Sequence, residues 1–419
     1  MQVLITAIGS SGDILPYLPI GRELIRRGHQ VAMLANPYFE KAVRTAGLGF
    51  RRLGRTEDLL RDFRRIGRVG SIGSPLRFAE WVIGQVPLTV QEVRSAIHDL
   101  RPDVIVRHKT HVGVQWTCRE ARIQCVVGAV APAAWLSLHD RAESIPLPRA
   151  FSRLGFIMAR QVLRGFLEIP WERRLTRLRS RLGFRPGKRL LWDELTGGDC
   201  QLGIWSRSFR PPMPDDPKPA VITGFSFQDP PQDARDELES FLDRGDPPII
   251  FTLGASGVHA RLAERFHACA VETCRRLGRR GVILTGNQGK TGGHIHDSIL
   301  VLAYAPHARV FSRASLVVCH AGIGTMAEAL RAGLPMVTVP LLFDQPDAAW
   351  RARRLGVAEV VPPSRLTPAR LVRATRRALE DSTLRRRAAE IRAIMRTENG
   401  PVAAADAIER IGETDDRRT

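Results

Sequence analysis

Short apolar runs alternate with longer segments of helical periodicity along the whole chain. In the first half, this pattern predicts strands at residues 2–8, 30–35, 104–107 and 125–130, and helices at 15–27, 39–46 and 76–100. In the second half, it predicts strands at 249–253, 282–285, 300–303, 316–319, 336–339 and 358–361, with helices between them. Strands that alternate with helices in this way are typical of α/β folds with parallel sheets.

Two breaks divide this pattern into domains. Residues 151–182 are basic and helical in pattern, and a proline-rich stretch at 210–219 reads as a semi-rigid linker. Each large part is expected to form one Rossmann-like parallel sheet. The predicted division is an N-terminal domain at 1–210, a linker at 211–219, a second domain at 220–396, and a C-terminal segment at 397–419 with a last helix near 402–411 and a polar tail.

Length and composition support two domains and a reducing environment. A chain of 419 residues exceeds one ordinary core, and 44% hydrophobic with 25% charged residues is typical of globular proteins. The longest apolar run, 126–136, is far shorter than the ~20 residues that a membrane helix needs. No basic segment precedes the first strand, and the six cysteines form no Cys-x-x-Cys pair. We therefore expect no signal peptide, reduced cysteines and a cytoplasmic location.

Positive charge is concentrated in one part of the chain. The net charge is +20, and residues 141–190 hold 13 Lys/Arg against 3 Asp/Glu, which places +10 in that segment. Weak contact with an anionic membrane, at its inner face, is one interpretation of such a field. Solvated arginines on helix surfaces are the other, and the sequence favours them. Aromatic residues rarely interleave with these arginines as base stacking would require, so we expect no nucleic-acid partner.

The most informative motif follows the apolar run 315–319. That run predicts a buried strand ending at His320, and a helical pattern starts directly after Gly322. Free N–H groups and the dipole at a helix N-terminus favour anions, so Gly322, Gly324 and Thr325 are candidate diphosphate ligands. His320 can donate a hydrogen bond to the same anion. A lone histidine would more often be a core residue, but the whole constellation favours a ligand site.

Polar residues beyond this motif suit the rest of a nucleotide sugar. Glu328 comes eight residues after His320, which is about 12 Å along a helix at ~1.5 Å per residue. A carboxylate at that distance suits a ribose diol. After the next predicted strand, Asp344 and Gln345 supply an acid and an amide that suit sugar hydroxyls.

Asp13 is the candidate catalytic base. It directly follows a Gly-Ser-Ser-Gly turn after the first predicted strand, and a helical pattern with Pro16 in its first turn comes next. Open α/β sheets bind ligands at this edge, and transfer to a hydroxyl needs a group that accepts its proton. The alternative is a helix N-cap, where Asp is favoured. The glycines beside Asp13 favour the functional interpretation.

At these residues the chain resembles a known family. The His320-Ala-Gly-x-Gly-Thr motif with Glu328, Gly333-Leu334-Pro335 and Asp344-Gln345 is similar to the donor signature of nucleotide-sugar glycosyltransferases with the GT-B fold, in which two Rossmann-like domains face a cleft. Residues 9–16 and 27–31 resemble the opening of the same family. Within it, the chain is most similar to the rhamnosyltransferase chain of rhamnolipid synthesis and to bacterial sterol and macrolide glucosyltransferases.

The resemblance implies an inverting enzyme that moves a sugar from a UDP- or dTDP-sugar to a lipophilic hydroxylated acceptor. It implies donor contacts from Ser11 and Gly12 and from His307 in a base-recognition loop, while Ser256 after the second domain's first strand could reach the phosphate. Several relatives pair the base with an acid after a later strand, but residues 107–111 contain no acid. The chain has no Asp-x-Asp pair, so we expect neither a metal nor another cofactor.

The acceptor pocket is expected from aromatic residues of the first domain, within 75–88, 131–147 and 151–171. Apolar residues at helical spacing are more often core than pocket, and this alternative stands beside the assignment. The candidate acceptor residues are Phe78, Trp81, Trp135, Phe151 and Phe156.

Other functions stay open at this point. Gly322-x-Gly324-x-x-Ala327 followed by Asp344 also matches a dinucleotide fingerprint, which would make the protein an oxidoreductase. That motif belongs in the first βα unit of its domain, whereas here it comes late. A sugar-nucleotide epimerase and a non-catalytic nucleotide-sugar-binding protein are further alternatives. The sequence does not determine the sugar, the acceptor or the oligomeric state.

Overall fold

Two seven-stranded sheets organise the chain. The computed structural model describes residues 1–67, 73–135, 137, 139–140, 170–187, 189–228, 236–254, 260–286 and 293–416. The strands of the first sheet are β1 (Gln2–Thr6), β2 (Gln30–Ala35), β3 (Gly49–Arg52), β4 (Val104–His108), β5 (Gln124–Ala129), β6 (Cys200–Gly203) and β7 (Ala220–Ile222). Their order is β3-β2-β1-β4-β5-β6-β7, and all neighbours are parallel.

The second sheet repeats this plan with one antiparallel edge. Its strands are β8 (Ile249–Thr252), β9 (Gly281–Leu284), β10 (Gly293–His296), β11 (Ile299–Leu302), β12 (Leu316–Cys319), β13 (Met336–Thr338) and β14 (Ala358–Val360). Their order is β10-β11-β9-β8-β12-β13-β14, and only the β10–β11 pair is antiparallel. The two sheets confirm the predicted α/β fold with two Rossmann-like halves.

Helices connect the strands. Those of the first half are α1 (Ser11–Ile14), α2 (Tyr17–Arg26), α3 (Glu40–Thr45), α4 (Thr56–Gly67), α5 (Gly73–Gly84), α6 (Val86–Leu100), α7 (Val114–Ala121), α8 (helical over the described residues 170–181) and α9 (Leu190–Thr196). Those that follow are α10 (Asp236–Asp243), α11 (Ala260–Leu277), α12 (His307–Phe311), α13 (Ile323–Ala332), α14 (Gln345–Arg354), α15 (Pro368–Glu380), α16 (Ser382–Met395) and α17 (Gly400–Asp416). Among the helices described, none has the length and apolar character to cross a membrane.

The apolar runs became strands because helices cover both faces of each sheet. Val3, Leu4 and Ile5 of β1 are all 0% exposed, so residues on the two faces are equally buried. The four residues of β12 are buried in the same way. Parallel strands covered on both faces favour continuous apolar runs over alternation, which made them recognisable in the sequence.

Each sheet reverses its strand order next to its first strand. In the first sheet the reversal lies between β1 and β4, and in the second it lies between β8 and β12. Open α/β sheets form their ligand crevice at such a point, beyond the carboxyl ends of the two strands. The loops that follow β1 and β4, and those that follow β8 and β12, therefore define the two halves of a site.

The proline-rich stretch does not separate the two sheets. β7 lies after residues 211–219, yet it pairs with β6 in the first sheet through Leu202 and Val221. The first sheet thus extends past residue 210, where the sequence placed the end of its domain, and the crossover to the second sheet comes after Ile222. The prolines at 211–219 lie in the connection between β6 and β7, whose composition resembles that of a linker between domains.

The last helix returns to the first sheet, as the sequence interpretation expected, and it is longer than the predicted 402–411. Asp406 and Glu409 of α17 bind Arg27 at the end of α2, at 2.7 and 2.6 Å. Glu409 also pairs with His29, at 2.7 Å. The C-terminal segment therefore packs against the N-terminal half of the molecule.

A buried ion network joins the two halves. Asp140, which follows β5, accepts hydrogen bonds from Arg351 of α14 at 2.7 Å and from Arg210 at 3.2 Å. Asp347 also pairs with Arg351, at 2.8 Å, and Asp216 binds Arg210 at 2.6 Å. All but Asp216 are no more than 4% exposed. This network fixes helix α14, whose first turn carries the predicted sugar-binding residues, against the first half.

Candidate functional site

Asp13 lies at the start of α1, directly beyond β1 and facing the crevice of the first sheet. Oδ2 of its carboxylate accepts hydrogen bonds from the Ser10 amide at 2.7 Å and the Ser10 hydroxyl at 3.0 Å. Gly9 permits this turn: its φ is +138°, and a Cβ there would meet Asp13 Oδ2 at 2.3 Å. The N-cap of this short helix is therefore Ser10, and Asp13, which the alternative interpretation placed there, is the third residue of a capping box. Within the described residues, these capping bonds use only one of its oxygens.

The second carboxylate oxygen of Asp13 faces a histidine that the sequence interpretation missed. His108 ends β4, and its Nε2 lies 3.6 Å from Asp13 Oδ1. On the other side of the ring, Nδ1 lies 2.7 Å from Thr110 Oγ1. The sequence analysis considered only an acid as the partner of Asp13 within residues 107–111, and it therefore missed His108. The available signal was that Asp13 follows β1 and His108 ends β4, two strands that are neighbours in the sheet.

His108 is neutral at physiological pH. Burial lowers its pKa, with Arg107 and Lys109 acting in the same direction and Asp13 in the opposite one. A neutral ring hydrogen-bonds through one N–H and one lone pair. It can therefore bond to Thr110 through Nδ1 and present Nε2 to Asp13, although the 3.6 Å separation from Oδ1 is longer than a hydrogen bond.

His320 occupies the matching position in the second sheet. It directly follows β12, and its ring lies between the backbones of two glycines: a Cβ on Gly254 or Gly322 would meet the ring at 2.6 or 2.3 Å. Burial lowers its pKa to about 4, with the charge of His307 adding to the effect. His320 therefore contributes a neutral N–H to this site. Ala321, at φ +64°, holds a left-handed conformation that is strained for a residue with a Cβ.

The N-terminus of α13 is open, as the anion-site prediction requires. The first intrahelical bond runs from Met326 N–H to the Gly322 carbonyl, at 3.0 Å. The amides of Ile323, Gly324 and Thr325 precede that bond and have no helical acceptor. Gly324 faces open space within 4 Å, whereas the Thr325 side chain is 6% exposed. An anion can thus approach these backbone amides closely at Gly324.

Glu328 lies about two turns further along the same helix, next to Arg331, which packs on Phe227. Its Oε2 pairs with Arg331 at 2.7 Å, and the Arg331 guanidinium lies 4.3 Å from the ring centroid of Phe227. Burial raises the pKa of Glu328, and Arg331 opposes that shift. Burial, and to a lesser extent the charge of Glu328, raises the pKa of Tyr304 as well. Glu328 and the exposed Tyr304 therefore lie near each other, in the region where the nucleoside is expected.

Asp344 and Gln345 begin α14 at the next strand edge. Gln345 Oε1 accepts from the amides of Leu341 and Leu342, both at 2.9 Å, so it shapes its own loop. Its NH₂ group is the part that can reach a ligand. Phe343, at φ +57°, is the second strained residue of the site. Asp344 caps α14 without a side-chain cap bond, which leaves its carboxyl available to the cleft.

The remaining predicted donor residues lie around these groups. Ser11 and Gly12 form the first turn of α1 next to Asp13. His307 starts α12, stacks on Phe311 with a 4.8 Å centroid separation, and is close enough to lower the pKa of His320. Its own pKa falls to about 4 through burial. Ser256 lies outside the described residues.

The predicted acceptor residues divide into two groups. Phe78 on α5 packs 5.6 Å from Trp81 and 5.3 Å from Phe343, so this aromatic pair reaches across the cleft to the Asp344 loop. Trp135 is 4% exposed and packs against Trp205, at 4.7 Å. Trp135 therefore fits the alternative interpretation, a core residue at the junction of the halves.

Phe151 and Phe156 lie outside the described residues. So does most of the basic segment 141–190, since residues 141–169 and 188 are not described.

Comparisons with known proteins agree with this geometry. Residues 3–119 match the glycosyltransferase family 28 N-terminal domain, and residues 279–411 match the C-terminal domain of proteins similar to erythromycin biosynthesis protein CIII. O-mycaminosyltylonolide 6-deoxyallosyltransferase of Streptomyces fradiae is 28% identical over 99% of this chain and 98% of its own length. A sterol 3-beta-glucosyltransferase of Arabidopsis thaliana is 26% identical over 85% of this chain, which spans 57% of that protein.

Solved structures agree on the fold. The glycosyltransferase of kitacinnamycin superposes with a TM-score of 0.75 at 20% identity, covering 98% of both chains. The spinosyn rhamnosyltransferase complexed with thymidine diphosphate gives 0.65 at 16% identity, covering 98% of this chain and 100% of that one.

Fold and site together define a GT-B glycosyltransferase. The chain joins an N-terminal half of glycosyltransferase family 28 to an erythromycin CIII-like C-terminal half. These matches favour the nucleotide-sugar interpretation of the His320–Glu328 motif over the dinucleotide fingerprint, and the roles of its residues stay a prediction.

Proposed function

We propose that the protein is an inverting, metal-independent glycosyltransferase. It moves a sugar from a UDP- or dTDP-sugar to a hydroxyl of a lipophilic small-molecule acceptor. The observation that carries this proposal is the position of Asp13 beyond β1: one carboxylate oxygen lies 3.6 Å from His108, and its charge acts on Asp344 of the second sheet.

In this mechanism Asp13 accepts the proton of the acceptor hydroxyl as the new glycosidic bond forms. His108 acts as a positioning residue, because its Nε2 lies 3.6 Å from Oδ1 of Asp13 while Thr110 fixes the other side of the ring. Direct attack by the acceptor on the sugar inverts the anomeric centre. A hydroxyl activated from the first sheet and a donor bound on the second sheet suit that direct attack.

The nucleoside diphosphate leaves with additional negative charge. The free amides at the start of α13 and the N–H of His320 are preorganised to stabilise that charge. The His320 ring is neutral, because burial lowers its pKa to about 4. The helix N-terminus therefore supplies the electrostatic stabilisation of the leaving diphosphate that a metal ion supplies in other enzymes.

Donor and acceptor classes are drawn from the relatives. Structures of related fold are described as complexes with thymidine diphosphate, which supports a dTDP-sugar as the first donor to test. The named relatives act on a macrolide and on sterols, which supports a large lipophilic acceptor. The aromatic pair Phe78 and Trp81 offers a surface suited to such a molecule.

The test begins with ligand-induced stabilisation by dTDP, UDP, GDP and NAD, since a bound ligand stabilises by RT ln(1 + [L]/Kd). EDTA-dialysed enzyme is then incubated with dTDP- and UDP-glucose and a panel of macrolactones and sterols. The anomeric configuration of the product is read from its proton NMR coupling. We expect stabilisation by dTDP or UDP and a product inverted at the anomeric carbon. A retained configuration, or strict dependence on added Mg²⁺, contradicts the proposal.

A further inference from the structure

Lys109 is a buried lysine at the edge of the proposed acceptor site. It follows β4 directly after His108, and it is 3% exposed. Its backbone is fixed on both sides: its N–H donates to the Gly128 carbonyl at 2.8 Å, and its carbonyl accepts from Arg107 at 3.1 Å. Its charge lowers the pKa of His108, so the two side chains lie near each other.

The two other buried cations beside Lys109 have carboxylate partners. Arg107 lies 3.4 Å from Glu194. Arg210 binds Asp216 at 2.6 Å and Asp140 at 3.2 Å.

Lys109 has no such partner within the part of the chain that the structure describes, neither a carboxylate nor a hydrogen-bond acceptor for its amine. Burial and the charges of Arg107 and Arg210 lower its pKa to about 7. The amine is therefore half protonated near neutral pH, beside two cations that repel its charged form.

A buried amine with no partner is costly, and most buried lysines are paired. Here a bound anion would supply the missing partner of Lys109, because it would favour the charged form of the amine and accept its hydrogen bonds. Arg107 and Arg210, whose charges act on Lys109, disfavour a cationic ligand at this position. A neutral hydroxyl is a weaker partner for the amine than a carboxylate.

We propose that Lys109 binds a carboxylate group of the acceptor and thereby selects acidic, hydroxylated acceptors. This inference rests on the proposed function, since it concerns the acceptor of that reaction. Lys109 is the next residue after His108, which positions Asp13. A carboxylate held by Lys109 therefore orients the acceptor beside the catalytic base.

The donor phosphates are a second source of anionic charge. They are assigned to the N-terminus of α13, on the other sheet, where His320 and the free amides lie. Lys109 belongs to the first sheet and lies near Arg210 and His108 instead. The acceptor is therefore the ligand that reaches it, and dTDP serves as the arm that tests the other source.

The chain contains five lysines, at positions 41, 109, 188, 218 and 290, so NMR of enzyme labelled with ¹³C at the lysine ε-carbon can resolve Lys109. Benzoate and benzamide are matched probes, because they share a ring and differ in charge. Each is titrated at pH 7 into wild type, Lys109→Met and Lys109→Arg. Lys41→Met, at an exposed position of α3, is the control for loss of one lysine.

We expect benzoate to shift the Lys109 signal and to bind roughly tenfold or more tightly than benzamide, as a charged hydrogen bond implies. Lys109→Met should lose this preference, whereas Lys109→Arg and Lys41→Met should keep it. Equal binding of both probes by wild type, or a preserved preference in Lys109→Met, overturns the inference. So does a tenfold loss of dTDP affinity in Lys109→Met, which would assign the lysine to the donor. Failure of wild type to bind dTDP or UDP would instead contradict the proposed function. The comparison of benzoate with benzamide would still show whether Lys109 binds a carboxylate.

Discussion

Asp344 of the second sheet lies near enough to Asp13 of the first for the charge of Asp13 to act on it. Burial raises the pKa of Asp344 to about 7, and the negative charge of Asp13 is the second contribution. Two carboxyl groups this close disfavour double ionisation. The donor sugar is proposed to lie between them, so Asp344 can meet it as a hydrogen-bond donor or as an acceptor, depending on pH.

The raised pKa of Asp344 predicts a loss of stability at high pH. The folded-state pKa of Asp344 is about 7 and the ordinary pKa of an aspartate is 3.8, so the folded protein holds the proton more tightly than the unfolded chain. The free energy of unfolding therefore falls as pH rises from about 4 to about 7. We expect Asp344→Asn to be more stable than wild type at pH 8 and equal to it below pH 4, measured by denaturant unfolding.

Two comparisons isolate the cause. Asp297→Asn, at an exposed turn, should leave the pH dependence unchanged. Asp344→Asn in an Asp13→Asn background should gain less at pH 8, because part of the repulsion is already removed. An identical gain in both backgrounds would show that Asp13 does not act on Asp344.

Asp13→Asn is expected to lower kcat by a factor on the order of 10² or more, as loss of a general base does. Donor affinity should stay nearly unchanged, because the donor is assigned to the second sheet. Single-turnover rates and dTDP binding separate the two effects. Near-wild-type turnover would exclude Asp13 as the base.

His108→Gln should cost less than Asp13→Asn, on the order of tenfold, because it removes a polar neighbour of the carboxylate but keeps the base itself. The acidic limb of the pH–rate profile should also shift, since His108 Nε2 lies 3.6 Å from the carboxylate of Asp13. His98→Gln, at a position 89% exposed, is the matched control. A lower rate with an unchanged pH profile would reduce His108 to a structural role.

His320→Ala and Glu328→Ala are expected to differ in kinetics. His320 is proposed to face the diphosphate, where charge grows in the transition state, so its loss should lower both donor affinity and kcat. Glu328 is proposed to face the ribose, where binding is the same in ground and transition states, so its loss should mainly raise the donor KM. Glu390→Ala, on the exposed face of α16, is the control. If Glu328→Ala binds donor as wild type does, the ribose assignment is wrong.

Arg351→Met should destabilise the protein strongly, by about 3–5 kcal/mol, because it leaves Asp347 and Asp140 buried without their shared cation. Arg44→Met breaks an exposed ion pair with Glu40 and should cost about 1 kcal/mol or less. Thermal unfolding of both variants measures the difference. Equal losses would mean that the buried network does not hold the two halves together.

The sequence by itself determined the repeated α/β pattern, the anion motif and the candidate base. Helices cover both faces of each sheet, so strands such as β1 and β12 are continuous apolar runs. The hydrophobic pattern did not predict the short strands at the sheet edges, because β3 is half exposed and β7 has only three residues. The anion motif was readable because its glycines, its histidine and its helix are contiguous in the chain.

Only the tertiary structure decided which residues meet. His108 lies 95 positions after Asp13, and strand order alone brings their side chains to 3.6 Å. The proximity of Asp13 to Asp344 and the burial of Trp135 likewise depend on how the two sheets face each other. Periodicity and local motifs record which face of an element is buried and how a turn begins. Contacts between distant segments depend on packing, and no local pattern encodes them.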